Sequence, residues 1–274
     1  MIDFNVNQET CTKCGQCSSD CPARIITMEG GYPAITQENE ANCYRCQHCL
    51  SICPTASISI LDYDPKNSLS LKGKLPDSIQ MELLIKGRRA IRQYKPENVE
   101  PDVMRKLLEV ACYAPTGRNS RQVRFTVIDN RATLIEIRDE MMAKLVKISR
   151  ETGFPAGMEF FSNYVQQWED EGTDFVFRGA PHFIVASAPK SVVTPVEDCL
   201  IALTTFELYA QTLGIGTVWD GLAKWLINEL LPEFKGRLDI PEDHVIGYAM
   251  AFGKPAVYYS RTAQHEPAGV HFVN

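Results

Sequence analysis

The 274-residue sequence predicts an α+β fold in two parts, a small cysteine-rich unit followed by a larger mixed one. Three observations carry this prediction. Eight of the ten cysteines fall between residues 11 and 53, in two copies of one spacing. Residues 63–78 are polar and interrupted by Pro65, Gly73 and Pro76, the composition of a linker. Beyond residue 79, helical and strand patterns interleave without regular βαβ repeats, which argues against a doubly wound sheet. The expected organisation is a first domain over 1–62, a linker over 63–78 and a second domain over 79–274.

Composition narrows the function classes. Hydrophobic residues make up 45% and charged residues 23%, so wholesale disorder is excluded. No run approaches the ~18 consecutive apolar residues of a membrane span. A net charge of −6 argues against nucleic acid as the main partner. The start, Met1-Ile2-Asp3-Phe4-Asn5, lacks the basic-then-apolar pattern of a signal peptide, so the expected compartment is the cytoplasm. The first 62 residues hold three basic residues (Lys13, Arg24, Arg45) against seven acidic ones. That surplus suits docking to a basic electron-transfer partner.

The cysteines read Cys11-x-x-Cys14-x-x-Cys17-x-x-x-Cys21-Pro22 and then Cys43-x-x-Cys46-x-x-Cys49-x-x-x-Cys53-Pro54. Three thiolates spaced in this way can curl round three irons of a cubane, while the fourth points away to the other cluster. The spacing therefore assigns Cys11, Cys14, Cys17 and Cys53 to one 4Fe–4S cluster, and Cys43, Cys46, Cys49 and Cys21 to a second. Disulfides would need an oxidising compartment, and zinc sites favour paired C-x-x-C or Cys/His sets. The run resembles two-cluster bacterial ferredoxins over about residues 1–62. Eight ligands leave no open iron, so the implied role is electron transfer. Cys112 and Cys199 sit in apolar helical patterns and are expected to be buried core thiols.

The second part reads element by element. Asp77 with Gln80 forms a capping-box-like start to a helix through Ile79, Leu83 and Leu84. A helix over about 101–113 stops before Pro115, and Val123–Val127 alternates as a strand. Residues 131–150 read as a long helix, and 182–188 as a buried strand. An apolar helix over 195–213 ends at Gly214, before a short strand through Thr217-Val218-Trp219. A helix at 222–231 and a strand around 245–252 follow. Segment 151–180, rich in glycine and aromatics, reads as irregular, a lid or a partner-embracing excursion.

Arg88 and Arg92, with Arg89 beside them, are expected one turn apart on a helix face, where guanidiniums converge as they do on a terminal phosphate. Taken alone, the same residues also describe a solvated helix end. Two further segments add weight. Ala114–Phe125 is a loop dense in polar donors, and Gly214–Gly221 has glycines that permit close backbone approach to a flat ligand. With Arg178-Gly-Ala-Pro181 and Arg261, these segments resemble the FMN-dependent nitroreductase family, and the whole chain resembles its ferredoxin-fused branch.

The resemblance implies a nitroreductase-like α+β domain that binds FMN as a homodimer, with flavins at the interface. It implies that Arg88 and Arg92 hold the phosphate and that Arg89 meets the ribityl side or pyrimidine edge, while Ala90 stands where the family has serine. Pro115, Thr116, Gly117, Asn119 and Arg121 fall on a loop that in the family reaches the partner's flavin. Gly216 and Thr217 fall beneath the isoalloxazine, and Lys254 and Arg261 supply late basic charge. No catalytic side chain is implied, since the flavin carries the chemistry. The expected activity is reduction of a small conjugated electrophile such as a nitroaromatic, with electrons arriving through two 4Fe–4S clusters. The expected donor is reduced ferredoxin, a similar low-potential carrier or NAD(P)H. The alternatives are a redox relay to another protein and other reductive flavin chemistry.

Overall fold

The computed structural model describes residues 2–266 and 268–273. The chain divides into two compact units, one formed by Met1–Pro76 with Arg118–Ser120, the other by Asp77–Gly117 with Arg121–Asn274.

The first unit is built from very short elements: β1 (Asn5–Val6), α1 (Gln16–Ser19), α2 (His48–Ile52) and β2 (Ile58–Ser59). β1 and β2 pair antiparallel, with Val6 opposite Ile58. Its buried core is Ile2, Ile25, Ile26, Leu50, Ile58 and Ile60, together with Cys17 and Cys49. So few aliphatic side chains supply little hydrophobic stabilisation, and units of this size commonly depend on a metal or other staple.

The second unit runs α3 (Ser78–Gly87), α4 (Pro101–Ala111), β3 (Arg124–Ile128), α5 (Arg131–Glu151), α6 (Phe161–Glu171), β4 (His182–Pro189), α7 (Pro195–Thr212), β5 (Gly216–Trp219), α8 (Gly221–Trp225), α9 (Phe234–Arg237) and β6 (His244–Gly253). One antiparallel sheet in the order β3-β4-β6-β5 organises it. β4 is buried on both faces. Its odd-numbered Phe183 and Val185 join one core with α5 and α6, while the even-numbered Ile184, Ala186 and Ala188 join another with α4 and α7. Burial on both faces explains why β4 reads as a continuous apolar run rather than an alternating one. On α7 the stripe Cys199, Ala202, Leu203, Phe206 and Ala210 is buried, and Phe206 meets Phe252 of β6 edge-on at 5.2 Å. Each such large side chain contributes about 1.5–3 kcal/mol by leaving water.

Three expectations are corrected. Segment 151–180 is not irregular throughout, because α6 forms within it. Phe161 and Val165, one turn apart, are buried toward α5, and the surrounding aromatics pack on one another, as in Phe160–Phe161 at 4.6 Å. Cys112 is exposed rather than buried, since it lies just past the last turn of α4, while Cys199 is buried. Arg88–Arg92 does not extend the helix. The Gln211 amide caps the Leu84 carbonyl at 3.1 Å as α3 ends, and the chain then lies extended along β5, where Ile91 N–H donates to Thr217 O at 2.9 Å.

Candidate cluster and cofactor sites

Each cysteine quartet faces its own cavity. Cys11, Cys14, Cys17 and Cys53 line one with Met28, Pro33 and Ile58. Cys21, Cys43, Cys46 and Cys49 line the other with Ile25, Ile26, Ile35 and Ile60. Among the described residues, no three His, Cys, Asp or Glu side chains gather on a single ion position. The thiols of each quartet are instead spread round a cavity, an arrangement suited to a polynuclear cluster.

The backbone repeats as the sequence does. Positions 32 residues apart share the left-handed region: Lys13 and Arg45 (φ 58° and 54°), Gly15 and Gln47 (71° and 60°), Arg24 and Ala56 (53° and 51°). Five of these six are not glycine, and each costs about 1–2 kcal/mol. Left-handed residues between the cysteines turn successive N–H groups to one side, a concavity that favours negative charge. Two donors reach sulfur directly, Arg45 N–H to Cys43 Sγ at 3.3 Å and Ser57 N–H to Cys53 Sγ at 3.2 Å. Burial pushes the Cys49 thiol up to about 12 and raises Cys17 as well. At neutral pH these sulfurs become thiolates only when a positive centre such as iron offsets their charge. The donor set, its division and its inward N–H groups fit 4Fe–4S clusters.

In the second unit the arginine segment lies against β5. Arg89 and Arg92 are exposed and Arg88 is half-buried. A Cβ on Gly216 would meet the Ile91 side chain at 2.4 Å, so only glycine allows this approach. Three guanidiniums within five residues, two of them open to solvent, fit an anionic group such as the FMN phosphate. Arg261 is exposed in the segment after β6, and the Lys254 ammonium is engaged with Glu100. The loop after α4 is anchored elsewhere. Thr116 Oγ1 accepts from Arg121 N–H at 3.0 Å, Gly117 N–H donates to Asp198 Oδ1 at 2.9 Å, and Pro115 is exposed. Asn119 lies in the first unit, where its amide donates to the Tyr44 carbonyl at 2.9 Å.

Two acidic residues escaped the sequence reading. Glu207, buried on α7, accepts from Thr217 Oγ1 and Trp219 Nε1, both at 3.0 Å, and from Arg88 Nη1 at 3.3 Å. It thereby ties the first arginine to β5. Asp220 follows β5 and caps α8 by accepting from Ala223 N–H at 2.8 Å. The available signal for Glu207 was a carboxylate at a helical position otherwise spaced for burial, a place that Asp198 shares on the same helix.

A family model described as "Nitroreductase family" matches residues 85–254. The chain belongs to the nitroreductase family. A second model, described as "4Fe-4S dicluster domain", matches residues 10–58. Nitroreductase NfnB of Mycolicibacterium smegmatis is 28% identical over 169 residues, which is 52% of this chain and 68% of NfnB. A solved nitroreductase with bound FMN from Desulfitobacterium hafniense aligns with a TM-score of 0.56 and 27% identity, over 73% of this chain and all of that one (100%). A nitroreductase with bound FMN from Bacteroides fragilis aligns at 0.55 with 21% identity, over 71% and 99% of the two chains, which shows the shared fold. This nitroreductase-family chain is thus an oxidoreductase with a 4Fe–4S ferredoxin-type domain ahead of its family domain. No helix among the described residues is long and apolar enough to cross a membrane.

Proposed function

We propose that this family member is an FMN-dependent oxidoreductase that receives electrons through two 4Fe–4S clusters and reduces a small conjugated electrophile such as a nitroaromatic. The observation that carries this reading is the presence, on one chain, of two separate cysteine-lined cavities and an arginine-rich segment docked on β5. Bound clusters supply one-electron transfer, and bound FMN supplies the two-electron chemistry. The chain supplies position and charge. Arg88, Arg92 and Arg261 hold the phosphate, with Glu207 fixing the Arg88 guanidinium. Arg89 and Ala90 flank the ribityl chain or ring edge, and the Gly216–Thr217 backbone lies beneath the ring.

The site is completed by a second copy of the chain. Asp198, which anchors the Gly117 loop, and Glu207, which anchors Arg88 and β5, are nine residues apart on α7, about 13 Å along the helix. The family resemblance implies that Pro115, Thr116, Gly117, Asn119 and Arg121 reach the partner copy's flavin rather than the one that Arg88 holds. An apolar groove of about 470 Å³ lined by Met81, Leu84, Val110, Ile201 and Leu208 supports this arrangement. So does α3, which exposes Ile79, Met81, Leu83 and Ile85. Apolar surface of this extent on a soluble chain marks an association face.

The test is anaerobic rapid mixing of the full-length, cofactor-loaded protein with a reduced low-potential ferredoxin, and separately with NADH and NADPH. Cluster absorbance should fall before flavin absorbance with the ferredoxin. Flavin bleaching that precedes cluster bleaching would overturn the route through the clusters.

A further inference from the structure

The 32-residue repeat contains its own control, because equivalent positions differ where they meet the fourth cysteine of each run. Thr55 and Ser57 follow Cys53, whereas Ala23 and Ile25 hold the same places after Cys21. Ser57 is 3% exposed, an unusual place for a hydroxyl. Its N–H donates to Cys53 Sγ at 3.2 Å, and its Oγ lies 2.8 Å from Thr10 Oγ1 and 2.7 Å from Thr55 Oγ1. Thr55 Oγ1 in turn lies 3.7 Å from Cys53 Sγ. Three hydroxyls thus form a chain that ends on one sulfur. Each has a single proton to give. Thr10 Oγ1 also donates to the Asn7 carbonyl at 3.4 Å. An anionic sulfur at the far end draws the Thr55 proton toward Cys53, and Ser57 holds the Thr55 hydroxyl in place.

Each quartet carries one backbone N–H donor to sulfur, from Ser57 to Cys53 and from Arg45 to Cys43, so the hydroxyl chain is what differs in donors, and the cavity walls add to it. Cys14 is exposed, while its counterpart Cys46 is partly buried. Lys13, its ammonium 4.2 Å from the centre of the Tyr32 ring, lines the first cavity with Met28, Pro33 and Ile58, whereas four isoleucines, Ile25, Ile26, Ile35 and Ile60, wall the second. His48 also lines the second cavity, with its ring Nδ1 3.1 Å from Asp20 Oδ2. An added electron is added negative charge. Hydrogen bonds to sulfur, solvent exposure and a nearby cation all favour it, and an apolar wall opposes it.

We infer that the two clusters are unequal, and that Thr55 and Ser57, acting through Cys53, make the Cys11–Cys14–Cys17–Cys53 cluster the one that takes the first electron. This inference rests on the proposed reading of the quartets as 4Fe–4S ligands. A one-electron donor loses one electron, and that cluster gains it. A second donation reduces the Cys21–Cys43–Cys46–Cys49 cluster. Bound clusters of unequal potential would then fill in sequence, the Cys53 one first. Thr55 and Ser57 are tuning residues that act through Cys53.

The test is an anaerobic potentiometric titration of the full-length, cluster-loaded protein with dithionite, followed by electron paramagnetic resonance. The parent should show two separate one-electron steps. Thr55→Val and Ser57→Ala should lower only the upper step, reducing the cluster's reduced-to-oxidised ratio at fixed potential about three- to tenfold, or about 28–59 mV for a one-electron couple. Thr55→Ser, which keeps the hydroxyl, should restore it. Iron is measured in every sample: about eight per parent chain upholds the ligand reading, and its absence overturns that reading independently. With iron retained, coincident steps in the parent, an unmoved upper step in both variants, or movement of the lower step alone would overturn the inference. If Thr55→Val loses iron, Ser57→Ala decides the outcome.

Discussion

Replacing Asp220 by Asn should remove a pH-dependent loss of stability from the nitroreductase unit. The Asp220 side chain is fully buried behind β5. Its Oδ1 caps α8, and its Oδ2 has no hydrogen-bond partner among the described residues. Burial pushes its carboxyl from 3.8 up to about 8. The Ala223 N–H bond opposes that rise, Asp174 adds to it and Arg178 opposes it. The folded chain therefore keeps a proton that the unfolded chain releases near pH 4. With the folded value raised, the stabilisation is fully present below pH 4 and declines as pH rises to about 8. At 1.36 kcal/mol per pH unit, the whole window is worth at most about 6 kcal/mol, and the interval from pH 6 to 8 about 2 kcal/mol. The Asn oxygen keeps the cap and cannot ionise. The melting temperature of Asp220→Asn relative to the parent should therefore rise by about 4–8 °C between pH 6 and 8, at 2–4 °C per kcal/mol for a unit of this size. Tryptophan fluorescence reads this unit alone, because Trp168, Trp219 and Trp225, the chain's three tryptophans, all lie in it. A melting-temperature difference that stays constant from pH 6 to pH 8 would refute the reasoning.

Cys21→Ser should damage the cluster held by Cys43, Cys46 and Cys49, and Cys53→Ser the one held by Cys11, Cys14 and Cys17. Iron analysis and paramagnetic resonance should show loss across the repeat rather than within each cysteine's own run. Arg92→Ala and Arg261→Ala should each weaken FMN binding about ten- to a hundredfold while iron content stays unchanged. Flavin release on gel filtration and fluorescence titration check this, and these variants are cleaner than Arg88→Ala, which also strands the buried Glu207 carboxylate. Ile201→Asp, which places a charge on the rim of the apolar groove, should shift the protein toward a monomer in sedimentation velocity and release FMN with it.

The two-part α+β architecture and both family assignments were legible in the sequence because their signals are local. Thiols three residues apart share one loop, Pro65, Gly73 and Pro76 interrupt one stretch, and Asp77 caps the helix that begins beside it through Gln80 N–H. The interior of the second unit was less legible, because long-range pairing decides it. Arg88–Arg92 carries ordinary helical residues, yet an Ile91 N–H bond to Thr217, 126 positions away, holds it extended. α6 forms in a segment whose glycines and aromatics obscured its period, because Phe161 and Val165 find a buried face on residues distant in sequence. Glu207 and Asp220 look like ordinary surface acids as letters. Only the packing of α7, β5 and β6 removes water from them, and that loss of water makes one carboxylate an anchor for Arg88 and pushes the other's carboxyl up to about 8.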